Sequence, residues 1–118
     1  MEKADFAECV FRYKGQTSVF LCRFPSEKYM QVPLEDFCAF IALPYEVCGR
    51  CCNVALFLEN GDRPLVEWNS PYVDFANKDG RLTLDTFTVY ESGKTYVQKE
   101  IFYMLGIIEE NELEAEKK

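Results

Sequence analysis

The residues whose types and spacing could support chemistry lie in one short run, Cys48-Gly49-Arg50-Cys51-Cys52. Two cysteines separated by two residues can hold one zinc ion or form a reversible disulfide, and a neighbouring arginine favours the reactive thiolate. A tetrahedral zinc site needs four ligands, and because the chain has no histidine, a distant cysteine such as Cys38 would have to be the fourth. A single C-x-x-C motif favours a loop with half-buried thiols, so we assign no metal and no cofactor. A cysteine-centred zinc or thiol protein stays as an alternative.

Two pairs of acidic residues, Glu35 with Asp36 and Asp62 with Glu67, could be imagined as catalytic carboxylates. Adjacent helix positions point in different directions, and acids are common in a chain with 20 of them, so a solvated surface explains these pairs better. The chain has no glycine-rich phosphate loop, no nucleophile elbow and no histidine, which is the commonest general base. We therefore predict no catalytic residues, no small-molecule substrate and no enzyme activity.

The composition indicates one packed intracellular domain. Hydrophobic residues make up 48% of the 118 residues, and the formal net charge is -7. An acidic surface repels phosphate, so we expect neither direct nucleic-acid binding nor membrane binding. The opening Met1–Asp5 carries no apolar signal segment, and no apolar run approaches the ~20 residues that cross a bilayer. We expect a soluble nuclear or cytoplasmic protein with mostly free thiols.

The first part of the chain shows the period-two alternation of strands. Ala7–Tyr13 and Thr17–Phe24 are predicted as two strands joined by a turn at residues 14–16, and Tyr29–Val32 as a short third strand. Cys9 and Cys22 fall on apolar faces of the first two strands, which predicts that they are small buried residues.

A short helix and a hairpin are predicted next. One helical stripe contains Leu34, Phe37, Cys38 and Ile41. Pro33 suits the first turn, and Pro44 should end the helix. Val54–Leu58 alternates as a strand, Asn60-Gly61 is typical of a two-residue turn, and Pro64–Trp68 is the returning strand.

The residues Leu34-Glu35-Asp36-Phe37-x-Ala39-Phe40-Ile41, followed by the Val54–Leu58 strand, the Gly61–Pro64 turn and the Leu65–Trp68 strand, resemble the last half-domain of sliding clamps. They are most similar to the clamp of the DNA-damage checkpoint, and the resemblance spans Tyr29–Phe87. It implies that the chain seeks a second half-domain, either a second copy in a homodimer or another protein subunit. We expect assembly without DNA contact, because the helix that would face DNA in the family carries Glu35, Asp36 and Glu46 here, with only Arg50 to oppose them.

The second half of the chain predicts further strands and a helix. Tyr72–Ala76 reads as a short strand and Arg81–Tyr90 as the longest, with a bulge near Asp85-Thr86 where the apolar parity changes. Thr95-x-x-Gln98 fits a capping box at the start of a second helix. The apolar face of this helix contains Val97, Ile101, Met104, Leu105 and Ile108.

These elements predict an α+β fold with a mostly antiparallel sheet of five to seven strands, one central short helix and one C-terminal amphipathic helix. Residues 1–108 form the predicted domain, and residues 109–118 a charged, frayed tail. The predicted function is a noncatalytic protein–protein interaction module; a small peptide-binding adaptor, acting through Arg81–Tyr90 or the last helix, is the alternative. The predicted partner-binding residues are Leu82, Leu84, Val97, Ile101, Met104, Leu105 and Ile108.

Overall fold

The computed structural model describes residues 4–118. Over this range eleven strands form two antiparallel sheets, and the chain also contains two short helices. The strands are β1 (Asp5–Tyr13), β2 (Gln16–Ser26), β3 (Tyr29–Pro33), β4 (Tyr45–Cys48), β5 (Asn53–Leu56), β6 (Pro64–Glu67), β7 (Tyr72–Phe75), β8 (Arg81–Thr83), β9 (Val89–Glu91), β10 (Lys94–Gln98) and β11 (Leu113–Lys117). The helices are α1 (Leu34–Phe40) and α2 (Ile101–Met104), and Glu110–Glu112 forms a 3₁₀ turn. Residues 1–3, which belonged to the predicted domain and to the opening inspected for a signal, lie outside the described part.

The five-stranded sheet is built from consecutive strands that lie between β3 and β9 in the sequence. One sheet has the strand order β11-β1-β2-β3-β10-β9, and the other is the meander β4-β5-β6-β7-β8. The chain therefore leaves the six-stranded sheet after β3, passes through α1, builds the five-stranded sheet and returns at β9. The predicted α+β class with mostly antiparallel pairing is confirmed. The expectation of a single sheet with a C-terminal helix is wrong.

One apolar core joins both sheets and α1. Its fully buried members include Phe11 and Cys22 of the six-stranded sheet, Val54 and Leu56 of the five-stranded sheet, and Phe37 of α1. The predicted helix forms with Leu34, Phe37 and Cys38 buried, and it starts directly after Pro33. Residues from both sheets and from α1 therefore belong to one buried cluster.

The predicted second helix is wrong over most of its length. Lys94–Gln98 is strand β10, and only Ile101–Met104 forms a helical turn. Strand β10 lies between β3 and β9, and four of its five residues are buried. Because β10 is buried on both faces, it lacks the alternation of apolar and polar residues that marks a strand. Val97 in β10 and Ile101 and Met104 in the helical turn that follows happen to have the spacing of one helical face.

The predicted long strand Arg81–Tyr90 is two strands in different sheets, β8 and β9. Between them the chain passes the end of β10, where the amides of Asp85 and Thr86 donate to Gln98 Oε1 at 2.7 and 3.2 Å. The parity change therefore marks the point at which the chain leaves one sheet for the other, rather than a bulge within one strand.

Three smaller expectations also differ. The predicted frayed tail instead contains β11, which pairs with β1 from Cys9 opposite Lys117 to Tyr13 opposite Leu113. Strand β4 was not predicted. Asn60-Gly61 is not a two-residue hairpin turn, because β5 ends at Leu56 and β6 begins at Pro64.

Candidate functional site: an exposed sheet edge and its thiol loop

The predicted partner-binding residues do not share one surface in this fold. Four of them are core residues, namely Leu84, Val97, Ile101 and Ile108. Leu82 and Leu105 are partly buried against the core, and Met104 is 44% exposed. The helix that was expected to present most of them is a single turn.

Two of the predicted residues, Leu105 and Ile108, border a cleft of about 560 Å³. The remaining apolar wall comes from the segment after α1 and the segment after β5, with Ile41, Leu43, Pro44, Phe57 and Leu58. Polar groups at the rim include Lys14, Glu59 and Asn60. The cleft therefore combines apolar side chains with polar and charged groups.

Strand β4 is an edge strand whose core-facing side is open to solvent. Among residues 4–118 it pairs only with β5, and Tyr45 lies opposite Leu56 and Val47 opposite Val54. Residues directly opposite each other in an antiparallel pair point to the same face. Leu56 and Val54 are fully buried, whereas Tyr45 is 38% exposed and Val47 45% exposed. The apolar face of the five-stranded sheet thus extends to β4, where its side chains are no longer covered by the core.

The other sheet edges lack this combination. Strand β11 carries Glu114, Glu116 and Lys117 among its five residues, and β8 and β9 are three residues long. Short or charged edges are the usual protection of a sheet against pairing with another chain. Strand β4 carries one charge, Glu46, on the side facing away from Tyr45 and Val47.

A second apolar surface lies on the outer face of the β1–β2 hairpin. Val10 lies opposite Val19, Glu8 opposite Leu21, and Val19 and Leu21 are 41% and 50% exposed. Both strands are interior to the six-stranded sheet, in which β2 pairs with β1 from Gln16 to Phe24 and with β3 from Arg23 to Ser26. The exposed side chains of this surface therefore lie on interior strands and not on the end strand of a sheet.

The cysteine run forms the tip of the β4–β5 hairpin. Cys48 and Cys51 are joined by a disulfide, and the Cys51 amide lies 3.1 Å from Cys48 Sγ as a hydrogen-bond donor. Cys52 is a free, exposed thiol. In this state Cys48 and Cys51 are bonded to each other and offer no thiolates to zinc, and the fourth ligand considered, Cys38, is buried in α1.

The remaining free thiols are in the core. Cys9, Cys22 and Cys38 are fully buried, so the prediction for Cys9 and Cys22 is confirmed. Burial raises the pKa of Cys38 to about 12, and it also raises the pKa of Cys22. These groups stay protonated near neutral pH.

Three of the four acidic residues considered for catalysis, Glu35, Asp36 and Asp62, have structural partners. Glu35 accepts hydrogen bonds from the Thr95 amide at 3.0 Å and the Thr95 hydroxyl at 2.8 Å, and Asp36 forms an ion pair with Lys94. Asp62 pairs with Lys78 at 2.8 Å. Within residues 4–118, no three His, Cys, Asp or Glu side chains converge as a metal site.

Comparisons of this chain with family models, with curated proteins and with solved structures find no match. Over the described range 4–118, neither helix is long and apolar enough to cross a membrane. The site is therefore argued from its own geometry. Sequence reasoning missed β4 because Tyr45-Glu46-Val47 offers one alternation between Pro44 and the cysteines, which is too short a signal to separate from a loop.

Proposed function

We propose that this protein is a noncatalytic protein–protein interaction module that assembles with a second copy of itself through the edge strand β4. The observation that carries the proposal is the open, apolar, core-facing side of β4, formed by Tyr45 and Val47.

The backbone of β4 supplies the first part of the interface. The outer side of an edge strand presents unpaired amide and carbonyl groups, and a second strand can satisfy them by extending the sheet. Two copies of β4 can pair in antiparallel fashion around a twofold axis perpendicular to the sheet. That arrangement joins two five-stranded sheets into one and keeps both core-facing sides on the same side.

The side chains supply the second part. With the twofold axis at Val47, each Val47 faces its counterpart, and each Tyr45 lies opposite Gly49 of the other copy. This register also avoids placing the two Glu46 carboxylates directly opposite each other, which would be repulsive. Burying Tyr45 and Val47 removes from water the apolar surface that the core of one copy leaves uncovered.

The clamp resemblance and the charge support the same mode of action. Sliding-clamp half-domains combine with a second half to form a full domain, so assembly is the property that the resemblance would carry to this chain. With a net charge of -7, the surface disfavours direct contact with nucleic acid.

Two matched valine variants test the proposal. Val47 and Val19 are 45% and 41% exposed and both lie on strands, Val47 on the end strand of its sheet and Val19 on an interior strand. We expect Val47→Lys to abolish the dimer, because it places like charges opposite each other at the axis, and Val19→Lys to leave the dimer intact. Sedimentation velocity measures both. Loss of the dimer in Val19→Lys alone would assign assembly to the outer face of the β1–β2 hairpin and overturn the proposal.

The cleft bordered by Leu105 and Ile108 favours the peptide-binding adaptor as a second candidate. Its volume of about 560 Å³ lies in the range of ligand sites, and its walls include apolar side chains such as Leu43, Leu58 and Leu105. An apolar peptide side chain would occupy it, and Leu105→Glu should abolish binding while Met104→Glu, on an exposed neighbour outside the lining, should not. A phage-displayed peptide library selected on the whole protein provides the probe. Peptides that bind both variants equally would exclude the cleft.

A further inference from the structure

The cysteine run at the tip of the β4–β5 hairpin is not used by the proposed function. We propose that Cys48 and Cys51 form a redox-active disulfide that is opened by low-molecular-weight thiols of the glutathione type, and that the fold stays intact in both states.

The two sulfurs are differently placed for exchange. Cys51 is exposed, as are Gly49, Arg50 and Cys52, whereas Cys48 is partly buried at the end of β4. An attacking thiolate therefore reaches Cys51 Sγ more readily than Cys48 Sγ. Exchange requires the attacking sulfur, the attacked sulfur and the leaving sulfur to lie nearly in line, so access to one sulfur decides which thiol leaves.

The leaving sulfur has a stabilising group in place. The Cys51 amide lies 3.1 Å from Cys48 Sγ. A hydrogen bond from an amide strengthens when the acceptor becomes an anion, so this donor favours the Cys48 thiolate that exchange releases. Arg50, exposed in the same loop, attracts an incoming thiol that carries net negative charge.

The reaction balances with two molecules of thiol. The first thiolate attacks Cys51 Sγ, forms a mixed disulfide and releases Cys48 as a thiolate, which takes up the proton that the attacking thiol lost. A second thiolate attacks the sulfur of the first small thiol in the mixed disulfide and releases Cys51 as a thiolate, which takes up the proton that the second thiol lost. The two small thiols are oxidised to their disulfide, and the Cys48–Cys51 bond is reduced to two thiols.

The fold does not depend on this bond. The two cysteines are three positions apart, so the bond closes a short loop and restricts the unfolded chain little. The ladder beyond it is held separately, with Cys48 opposite Asn53 and the Trp68 amide donating to the Cys52 carbonyl at 2.9 Å. Reduction therefore frees the hairpin tip without removing the pairing of β4 with β5.

Counting alkylated thiols tests the proposal, because the fully buried Cys9, Cys22 and Cys38 are inaccessible in the folded protein. The whole Cys52→Ser chain is equilibrated in buffers of graded reduced-to-oxidised glutathione ratio, treated with N-ethylmaleimide and weighed intact. We expect no labels at the oxidised end and two at the reduced end, with an unchanged circular dichroism spectrum. Two labels at every ratio, or none at every ratio, would overturn the proposal, as would unfolding on reduction.

An Arg50 variant tests the assigned charge. We expect Arg50→Glu to slow opening by anionic glutathione roughly 3–10-fold, and to change opening by uncharged 2-mercaptoethanol by less than about twofold. The same slowing with both reagents would show that the loop geometry, and not the charge of Arg50, sets the rate, and would contradict that part of the proposal.

Discussion

Phe37 is the residue on which α1, α2 and the first two strands of the six-stranded sheet converge. Its ring centroid lies 4.5 Å from that of Phe102 and 5.5 Å from that of Phe11, so α1, α2 and β1 meet at one side chain. Phe20 and Phe40 lie further out in the same aromatic cluster. Aromatic pairs at these separations add to the stabilisation that burial alone supplies.

Replacing Phe37 should therefore be among the most destabilising single changes in the chain. We expect Phe37→Ala to lower the free energy of unfolding by about 3–5 kcal/mol, because it leaves a cavity that the surrounding rings fill only in part. Leu21→Ala, at a position that is 50% exposed, is the matched surface control and should cost much less. Urea denaturation followed by tryptophan fluorescence measures both, and equal effects would contradict the placement of Phe37.

The buried thiols predict a loss of stability in mild alkali. The pKa of Cys38 is raised from 9.0 to about 12, with burial as the largest cause and the charge of Glu35 as a second. A group whose folded pKa is raised stabilises the fold fully below its unfolded pKa. That contribution declines as the pH rises from 9 towards 12, because only the unfolded chain then loses the proton.

Cys38→Val removes this titrating group at nearly constant volume. Between pH 8.5 and 10, we expect the wild-type protein to lose about 1 kcal/mol more unfolding free energy than the variant loses. Urea midpoints at the two pH values give the comparison. Parallel losses in the two proteins would show that Cys38 does not hold its proton in the fold.

At the scale of elements, the local pattern of apolar residues predicted those elements that have one buried and one exposed side. The β1–β2 hairpin and α1 agree with expectation because each has one buried and one exposed side, so its periodicity is visible in Cys9, Phe11 and Tyr13 or in Leu34, Phe37 and Cys38. Strand β10 has no such contrast, because Tyr96, Val97 and Gln98 are all buried. Its identity depends on β3 and β9 beside it, which no short window of sequence contains.

Strand β11 shows the opposite case, in which a pattern was present and was outweighed by composition. Leu113 and Ala115 alternate with Glu114 and Glu116, as a half-buried strand requires, but the many charges favoured a frayed tail. In the structure the acidic side chains lie on the solvent-exposed face of the sheet. There the carboxylate oxygens of Glu116 and Glu114 lie 3.4 and 3.8 Å from the guanidinium nitrogen of Arg12.

Removing residues 109–118 distinguishes a strand from a tail. We expect the shortened chain to lose at least about 2 kcal/mol of unfolding free energy, because Leu113 leaves its buried position and β1 loses a paired neighbour. Thermal unfolding by circular dichroism measures the change. A melting temperature within one degree or so of the full chain would mean that β11 contributes nothing to the fold.

At the scale of the whole molecule, the crossing between the sheets could not be predicted from sequence. It depends on Gln31 and Gln98, both buried, whose side chains bind the segment that passes from β8 to β9. The division into two sheets also creates the β4 edge, because the chain begins the five-stranded sheet at β4 and no other strand pairs with the outer side of β4 within residues 4–118. The candidate site is thus a product of topology, and only its thiol loop was visible as a motif.

The native mass in solution tests the central claim, assembly through β4, most directly. We would measure light scattering on a sizing column over a range of concentrations, at about 0.05 and about 0.5 M salt. We expect twice the 13.7 kDa chain mass at high concentration, with more dimer at high salt because screening weakens the repulsion between two copies of charge -7. A mass of one chain at every concentration and both salt levels would contradict the claim.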